Sequence, residues 1–150
     1  MDHFAIKNGV MHAEDVPLPV IADAVGTPVY IYSRGTLERH AQVFRDALAD
    51  VPDKLIAFAV KSNPNLAVLK VLGAQGMGAD VVSVGEMHRA LAAGIAPEMI
   101  VFSGVGKTTA EMIAALDAGI GQFNIESEEE GIELAEIAAA RGMTAQCTLR

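Results

Sequence analysis

One lysine stands where an α/β protein could use a reactive amine. Lys61 directly follows the apolar run 55–60 and precedes Ser62-Asn63-Pro64-Asn65. Active sites of parallel α/β folds lie at the carboxyl ends of the strands, where partial desolvation makes a lysine amine usable for Schiff-base chemistry. From position alone, the simpler interpretation is a lysine that packs its alkyl chain at the strand end and holds its amine in water.

A carboxylate stands at the next apolar run along the chain. Asp80 opens the run Asp80-Val81-Val82-Ser83. The residue type would allow a functional role. From the residue alone, a structural cap at a helix or strand end is an equally good interpretation.

Two other kinds of site are not supported by the spacing. Gly104-Val105-Gly106-Lys107-Thr108 resembles the end of a phosphate-binding P-loop, but that motif needs a glycine where Val101 stands. The four histidines are His3, His12, His40 and His88. None of them forms an i, i+4 pair, so we expect no metal site.

Composition excludes further classes of function. The chain has 150 residues, 51% hydrophobic residues and a formal net charge of −8, so it would repel a nucleic acid. Cys147 is the only cysteine, so no disulfide can form within the chain, and a reducing, cytoplasmic location fits. The first residues lack the pattern of a secretory signal, and no apolar stretch is long enough for a membrane helix. We expect a soluble protein.

The chemistry-bearing residues lie in an alternation of short apolar runs and longer amphipathic segments. Six runs are predicted as buried parallel strands: 29–32, 55–60, 80–83, 99–102, 122–125 and 145–149. Ser33 is expected to open the helix after the first run, and Ser127 to cap a helix with acidic residues in its first turn. Glycines are expected to end several helices, namely Gly76, Gly78, Gly94, Gly119, Gly121 and Gly142.

This alternation of predicted strands and helices indicates a parallel α/β fold but leaves two architectures open, a doubly wound sheet and a (β/α)8 barrel. A complete barrel takes about 250 residues, so on that interpretation the chain holds only the N-terminal part. Residues 1–26 differ: they predict a strand with a turn and a short helix over 20–25. The domain prediction is therefore an N-terminal extension, 1–26, and the first part of a barrel, 27–150, with about six strands.

Four motifs together resemble a known family. They are Ala59-Val60-Lys61-Ser62-Asn63-Pro64-Asn65, the stretch 78–86, Ile100-Val101-Phe102-Ser103-Gly104-Val105-Gly106-Lys107-Thr108, and Phe123-Asn124-Ile125-Glu126-Ser127. In this order and spacing they are similar to the alanine-racemase-like, group IV pyridoxal-phosphate-dependent decarboxylases, and within them most similar to the diaminopimelate decarboxylases. The resemblance extends over essentially the whole chain and favours the barrel.

The resemblance implies roles for particular residues. Lys61 would bind pyridoxal 5'-phosphate covalently and act as the catalytic lysine. Asp80 would lie close to the cofactor and set local charge, and Arg150 matches the arginine of a strand end beside the cofactor ring. Ser83 and Glu86 would have supporting roles.

The resemblance also implies what the whole protein does. The reaction would be decarboxylation of meso-diaminopimelate to L-lysine and CO2, in a homodimer whose active sites form at the interface. Residues after position 150 would complete the site, and the N-terminal extension would join a second, β-rich domain, so the chain alone would be inactive and poorly soluble. Two alternatives remain: a decarboxylase of another basic amino acid (ornithine, arginine or carboxynorspermidine), and a non-catalytic homologue that binds a partner.

Overall fold

A computed structural model describes residues 2–150. The chain forms two compact units, residues 1–50 and residues 51–150. No helix in residues 2–150 is long and apolar enough to cross a membrane.

The first unit contains a small antiparallel sheet and two helices. Its elements are β1 (Phe4–Lys7), β2 (Val10–Ala13), β3 (Val16–Pro17), α1 (Leu18–Val25) and α2 (Arg34–Ala47). The sheet has the order β1-β2-β3. Asn8 and Gly9 link the first two strands with φ of 52° and 78°. Two successive positive φ angles suit a tight hairpin turn, for which Asn-Gly is the favoured sequence.

Ser33 opens α2, as predicted. Its hydroxyl oxygen accepts a hydrogen bond from the Thr36 N–H at 3.0 Å and donates one to Glu14 at 2.7 Å. The Glu14 carboxylate also accepts from the Gly35 N–H at 2.8 Å. The bond from Gly35, followed by that from Ser33, holds the pKa of Glu14 below its ordinary value. The start of α2 is therefore capped twice.

The prediction of a first strand over 29–32 is wrong. These residues carry no strand pairing, and Tyr30 is 89% exposed. The run has the β-branched and aromatic residues of a strand, but no strand in residues 2–150 hydrogen-bonds to it. Propensity alone does not form a strand, because its backbone groups need a partner.

The second unit alternates strands and helices. Its strands are β4 (Ala57–Ala59), β5 (Gly78–Val81), β6 (Ile100–Phe102), β7 (Gln122–Ile125) and β8 (Cys147–Leu149). Its α-helices are α3 (Leu66–Ala74), α4 (Val84–Ala92), α5 (Thr109–Ala118) and α6 (Glu128–Ala140). Single 3-10 turns occupy Val60–Ser62 and Pro97–Met99.

The five strands form one parallel sheet in the order β4-β5-β6-β7-β8. Each strand lies beside its predecessor in the sequence, and the order never reverses. A doubly wound sheet reverses its strand order at a switch point, whereas a (β/α)8 barrel adds its strands in sequence. The topology is that of the first part of a barrel.

The two faces of this sheet differ in polarity. The residues on one face are packed against the helices and are at most 3% exposed: Ala79, Val81, Ile100, Phe102, Phe123 and Ile125. The Phe102 and Phe123 rings stack with centroids 6.3 Å apart. The alternate residues Asp80, Gln122 and Asn124 lie on the opposite face and are half-buried. The polar groups therefore gather on the face away from the helices.

β5 begins two residues earlier than predicted, at Gly78. A Cβ atom at Gly78 would lie 2.3 Å from the Met99 carbonyl oxygen, so only glycine lets the chains approach there. The predicted last residue of this run, Ser83, instead caps α4 by accepting from the Glu86 N–H at 3.2 Å.

Candidate functional site

Lys61 lies in the 3-10 turn that ends β4, at the carboxyl edge of the sheet. The preceding residue, Val60, is fully buried, and the turn contacts β5 and α4. Lys61 itself is exposed, and within residues 2–150 its amine makes no hydrogen bond or ion pair. The packed end of β4 therefore holds an exposed primary amine that has no hydrogen-bond or ion-pair partner in residues 2–150.

Asp80 lies on the strand next to Lys61. Ala59, two residues before the lysine, pairs with Asp80 in the parallel register. The Ser103 hydroxyl donates a hydrogen bond of 2.5 Å to the Asp80 carboxylate. Asp80 is thus an oriented acceptor on the polar face of the sheet, rather than a cap of a helix or strand.

Ser103 and Asn124 were not predicted as site residues. Ser103 is 3% exposed and accepts a hydrogen bond from the Asn124 side-chain amide at 2.9 Å. Asn124 in turn accepts one from the Gln122 amide at 2.8 Å. Both residues lie in motifs that carry the family resemblance, and both are polar at alternate positions of apolar strands. These signals locate a face of the sheet but do not reveal a contact between strands.

Arg150 directly follows β8, and its backbone N–H donates to the Ile125 carbonyl at 2.9 Å. Its guanidinium forms an ion pair with Glu126 at 3.0 Å. The same Glu126 oxygen accepts from the Gly104 N–H at 3.2 Å. Glu126 therefore links the arginine to the loop after β6, a role that sequence reasoning missed.

The loop between β6 and α5 is held by Lys107. The Lys107 amine donates to the carbonyls of Gly104 and Asn124 at 2.8 and 2.6 Å, and pairs with Glu130 at 2.5 Å. These contacts use all three N–H bonds of the ammonium group. Lys107 is thus a structural anchor of the loop, in line with the rejection of a P-loop.

Ser83 and Glu86, which were expected to support the site, bond to backbone groups at the start of α4. Glu86 accepts a hydrogen bond from the Val82 N–H at 2.9 Å, and Ser83 caps the same helix. On the next helix, Glu111 accepts from Thr108 and Val84, and these backbone bonds hold its pKa below the ordinary value against the effect of its partial burial. Hydrogen bonds from backbone N–H groups to the Glu86 and Glu111 carboxylates therefore hold the loops that precede α4 and α5.

The three predicted site residues share one edge of one sheet. Lys61 and Asp80 belong to neighbouring strands, whereas Arg150 follows the strand at the opposite side of the sheet. No hydrogen bond or ion pair connects them within residues 2–150. Strand spacing is about 4.8 Å, so curvature of the sheet decides how near the arginine comes to the lysine.

Comparison with known proteins agrees with this geometry. The family description "Pyridoxal-dependent decarboxylase, pyridoxal binding domain" matches residues 34–150. A diaminopimelate decarboxylase of Zymomonas mobilis is 54% identical over 149 residues, which cover 98% of this chain and 35% of that protein.

Solved structures show the same fold. A diaminopimelate decarboxylase of M. jannaschii has a TM-score of 0.94 at 32% identity, over 99% of this chain and 36% of that one. A co-complex of the M. jannaschii enzyme with L-lysine has a TM-score of 0.89 at 32% identity, over 98% and 35% of the two chains.

The chain thus spans about a third of the length of the relatives that it matches. The predicted resemblance and the predicted barrel are both confirmed. Because the match to the pyridoxal binding domain extends from residue 34 to residue 150, this chain belongs to the pyridoxal-dependent decarboxylase family.

Proposed function

We propose that the protein containing this chain converts meso-diaminopimelate to L-lysine and CO2, with pyridoxal 5'-phosphate held by Lys61. The observation that carries the proposal is the exposed Lys61 amine, which has no partner in residues 2–150 and stands beside Asp80 at the carboxyl edge of the sheet. The high identity to diaminopimelate decarboxylases supports the choice of substrate.

The described residues fit the cofactor of the family. Pyridoxal phosphate carries an aldehyde, which needs a free primary amine, and a ring nitrogen and phosphate, which need polar surroundings. Lys61 offers the amine, and the polar face of the sheet offers the oriented carboxylate of Asp80. Arg150 adds a cation at the same edge, with its guanidinium exposed enough to reach a ligand.

Each of these residues has a distinct task in the proposed reaction. Lys61 would hold the cofactor covalently through Nζ and give up that bond to the substrate amine. Asp80 would supply negative charge close to that bond, and Arg150 would bind beside the cofactor ring. When bound, the cofactor supplies an electron sink for the pair released as the α-carboxylate leaves as CO2.

The organisation of the whole protein forms part of the proposal. Residues 1–26 would belong with a second, β-rich domain, and residues 27–150 with the barrel. Two copies of the protein would form a homodimer with active sites at the interface, in the cytoplasm. The separate antiparallel sheet of β1, β2 and β3 supports the division, and the single cysteine agrees with the location.

The test uses the full-length protein purified with pyridoxal phosphate. We expect a visible absorption band, and release of lysine and CO2 from meso-diaminopimelate. Lys61→Ala should abolish both. Lys70→Ala, which removes an exposed lysine of α3, should leave both unchanged.

Each other outcome has a defined meaning. A band without lysine release would retain the cofactor assignment and redirect the substrate to ornithine, arginine or carboxynorspermidine. A protein with no band would refute the enzymatic proposal and favour a binding homologue.

A further inference from the structure

The polar face of the parallel sheet carries a chain of hydrogen bonds that ends on Asp80. Gln122 donates to Asn124 at 2.8 Å, Asn124 donates to Ser103 at 2.9 Å, and Ser103 donates to Asp80 at 2.5 Å. The chain crosses three adjacent strands, from β7 through the end of β6 to β5. Every donor in it points toward the carboxylate.

Ser103 determines this direction. A hydroxyl has one proton to donate, and here it goes to the negatively charged Asp80. The hydroxyl oxygen remains free to accept, and the Asn124 side-chain amide donates a hydrogen bond to it. The Ser103 backbone is fixed as well, because its N–H donates to the Val81 carbonyl at 2.8 Å and extends the ladder beyond β6.

Burial increases the free energy that is lost when one of these hydrogen bonds is broken. Ser103 is 3% exposed, so water does not replace a lost partner, and a bond to a charged group in such a place is stronger than a bond between neutral groups. Every buried side-chain nitrogen and oxygen in residues 2–150 has a hydrogen-bond partner. A connected set of this kind fixes one orientation of its members.

We propose that Ser103 and Asn124 are positioning residues that hold the Asp80 carboxylate in one orientation beside the strand end that carries Lys61. This inference rests on the proposed function, since it assumes that Asp80 acts on a cofactor bound at Lys61. It adds that residues at the end of β6 and in β7 set the orientation of Asp80, which lies in β5. Neither residue touches the cofactor or the substrate in this proposal.

The experiment uses full-length protein and measures two properties other than activity. The dissociation constant of pyridoxal phosphate is obtained by titration of the visible band. The visible circular dichroism of the bound cofactor reports how it is held. Thermal unfolding of each variant without cofactor shows whether the fold survives.

Ser103→Ala removes the donor to Asp80, and we expect the dissociation constant to rise about tenfold, the loss expected for one bond to a charged group. The circular dichroism of the bound cofactor should change at the same time. Ser103→Thr keeps the hydroxyl and should restore both values. Asn124→Ala leaves Ser103 in place and should give a smaller effect in the same direction. It therefore tests the inference if Ser103→Ala does not fold.

Gln122→Ala is the matched control. It removes the outer end of the chain, which is three hydrogen bonds away from Asp80, and should leave both values close to those of the wild type. A purely structural role would lower the unfolding temperature of Ser103→Ala and leave the cofactor properties unchanged. That result would refute the inference while the proposed function stands. A wild-type protein without a visible band would instead overturn the proposed function and this inference together.

Discussion

At the residue scale, Lys107 is a charged group held almost entirely out of water. Its side chain is 1% exposed, and that of its partner Glu130 is 10% exposed. The amine also lies 5.9 Å from the centroid of the Phe102 ring, within reach of a cation–π attraction. One ammonium group therefore connects the loop after β6 with β7 and α6.

We predict that Lys107→Met destabilises the full-length protein by about 3–5 kcal/mol, because it leaves the Glu130 carboxylate buried without its counter-charge. Chemical denaturation of both proteins measures this difference. Lys70→Met, at an exposed position of α3, is the control and should change stability by less than about 0.5 kcal/mol. The double variant Lys107→Met, Glu130→Leu should recover part of the loss. Equal stability of Lys107→Met and wild type would show that the pair contributes nothing.

The candidate site could be predicted only in part from the sequence. Lys61 and Asp80 could be named because their motifs resemble those of a known family, whereas their positions at apolar runs left a structural interpretation open. The link from Ser103 to Asp80 joins residues 23 positions apart, and it depends on strand register. Register is fixed by tertiary packing, so no local pattern of the sequence contains it.

At the element scale, Gly78 decides where β5 starts. A methyl group there would meet the backbone oxygen of Met99 and a side-chain carbon of Leu55, at 2.3 and 2.8 Å. The oxygen belongs to the chain entering β6 and has no flexible end that could move aside. A side chain at this position must therefore push neighbouring chains apart.

We predict that Gly78→Ala destabilises the full-length protein by about 2 kcal/mol or more through this overlap. Gly85→Ala is the matched control, because Gly85 lies in α4, with its nearest neighbour, the Ser83 hydroxyl, 3.8 Å from the added carbon. That change should be neutral or stabilising by up to about 1 kcal/mol, since alanine favours helices over glycine. Thermal and urea unfolding compare the two. A loss of stability in Gly78→Ala as small as that in a neutral Gly85→Ala would mean that the close approach at Gly78 is relieved at little cost.

The elements themselves could be predicted where a local signal exists. Ser33 and Ser127 cap helices as expected. Four of the six predicted glycine stops have positive φ, whereas Gly78, which lies in β5, and Gly121, which precedes β7, do not. These features depend on backbone groups within a few residues, so the sequence contains them. The run 29–32 shows the opposite case, because its strand-forming composition has no partner strand in residues 2–150.

At the scale of the whole molecule, the parallel sheet has two edges within residues 2–150. β4 pairs only with β5, and β8 pairs only with β7. All three residues of β8 are exposed, and Leu149 is 85% exposed. An open groove of about 550 Å³ beside β8 is lined by Ile132, Ala135 and Leu149 together with charged residues such as Glu126 and Arg150. An exposed apolar strand edge is a template for pairing with another chain.

We therefore predict that residues 1–150, produced alone, aggregate or lack a sharp thermal transition, whereas the full-length protein unfolds cooperatively. Size-exclusion chromatography and calorimetry measure the two properties. Leu149→Lys should reduce the aggregation of residues 1–150, because a charge on an edge strand opposes pairing. Val25→Lys, at a 66% exposed position of α1, adds the same charge away from the sheet edge and should not. A monomer of residues 1–150 with a sharp transition would show that the first five strands of this barrel are stable by themselves. Equal relief by both lysines would assign the aggregation to net charge rather than to the edge of β8.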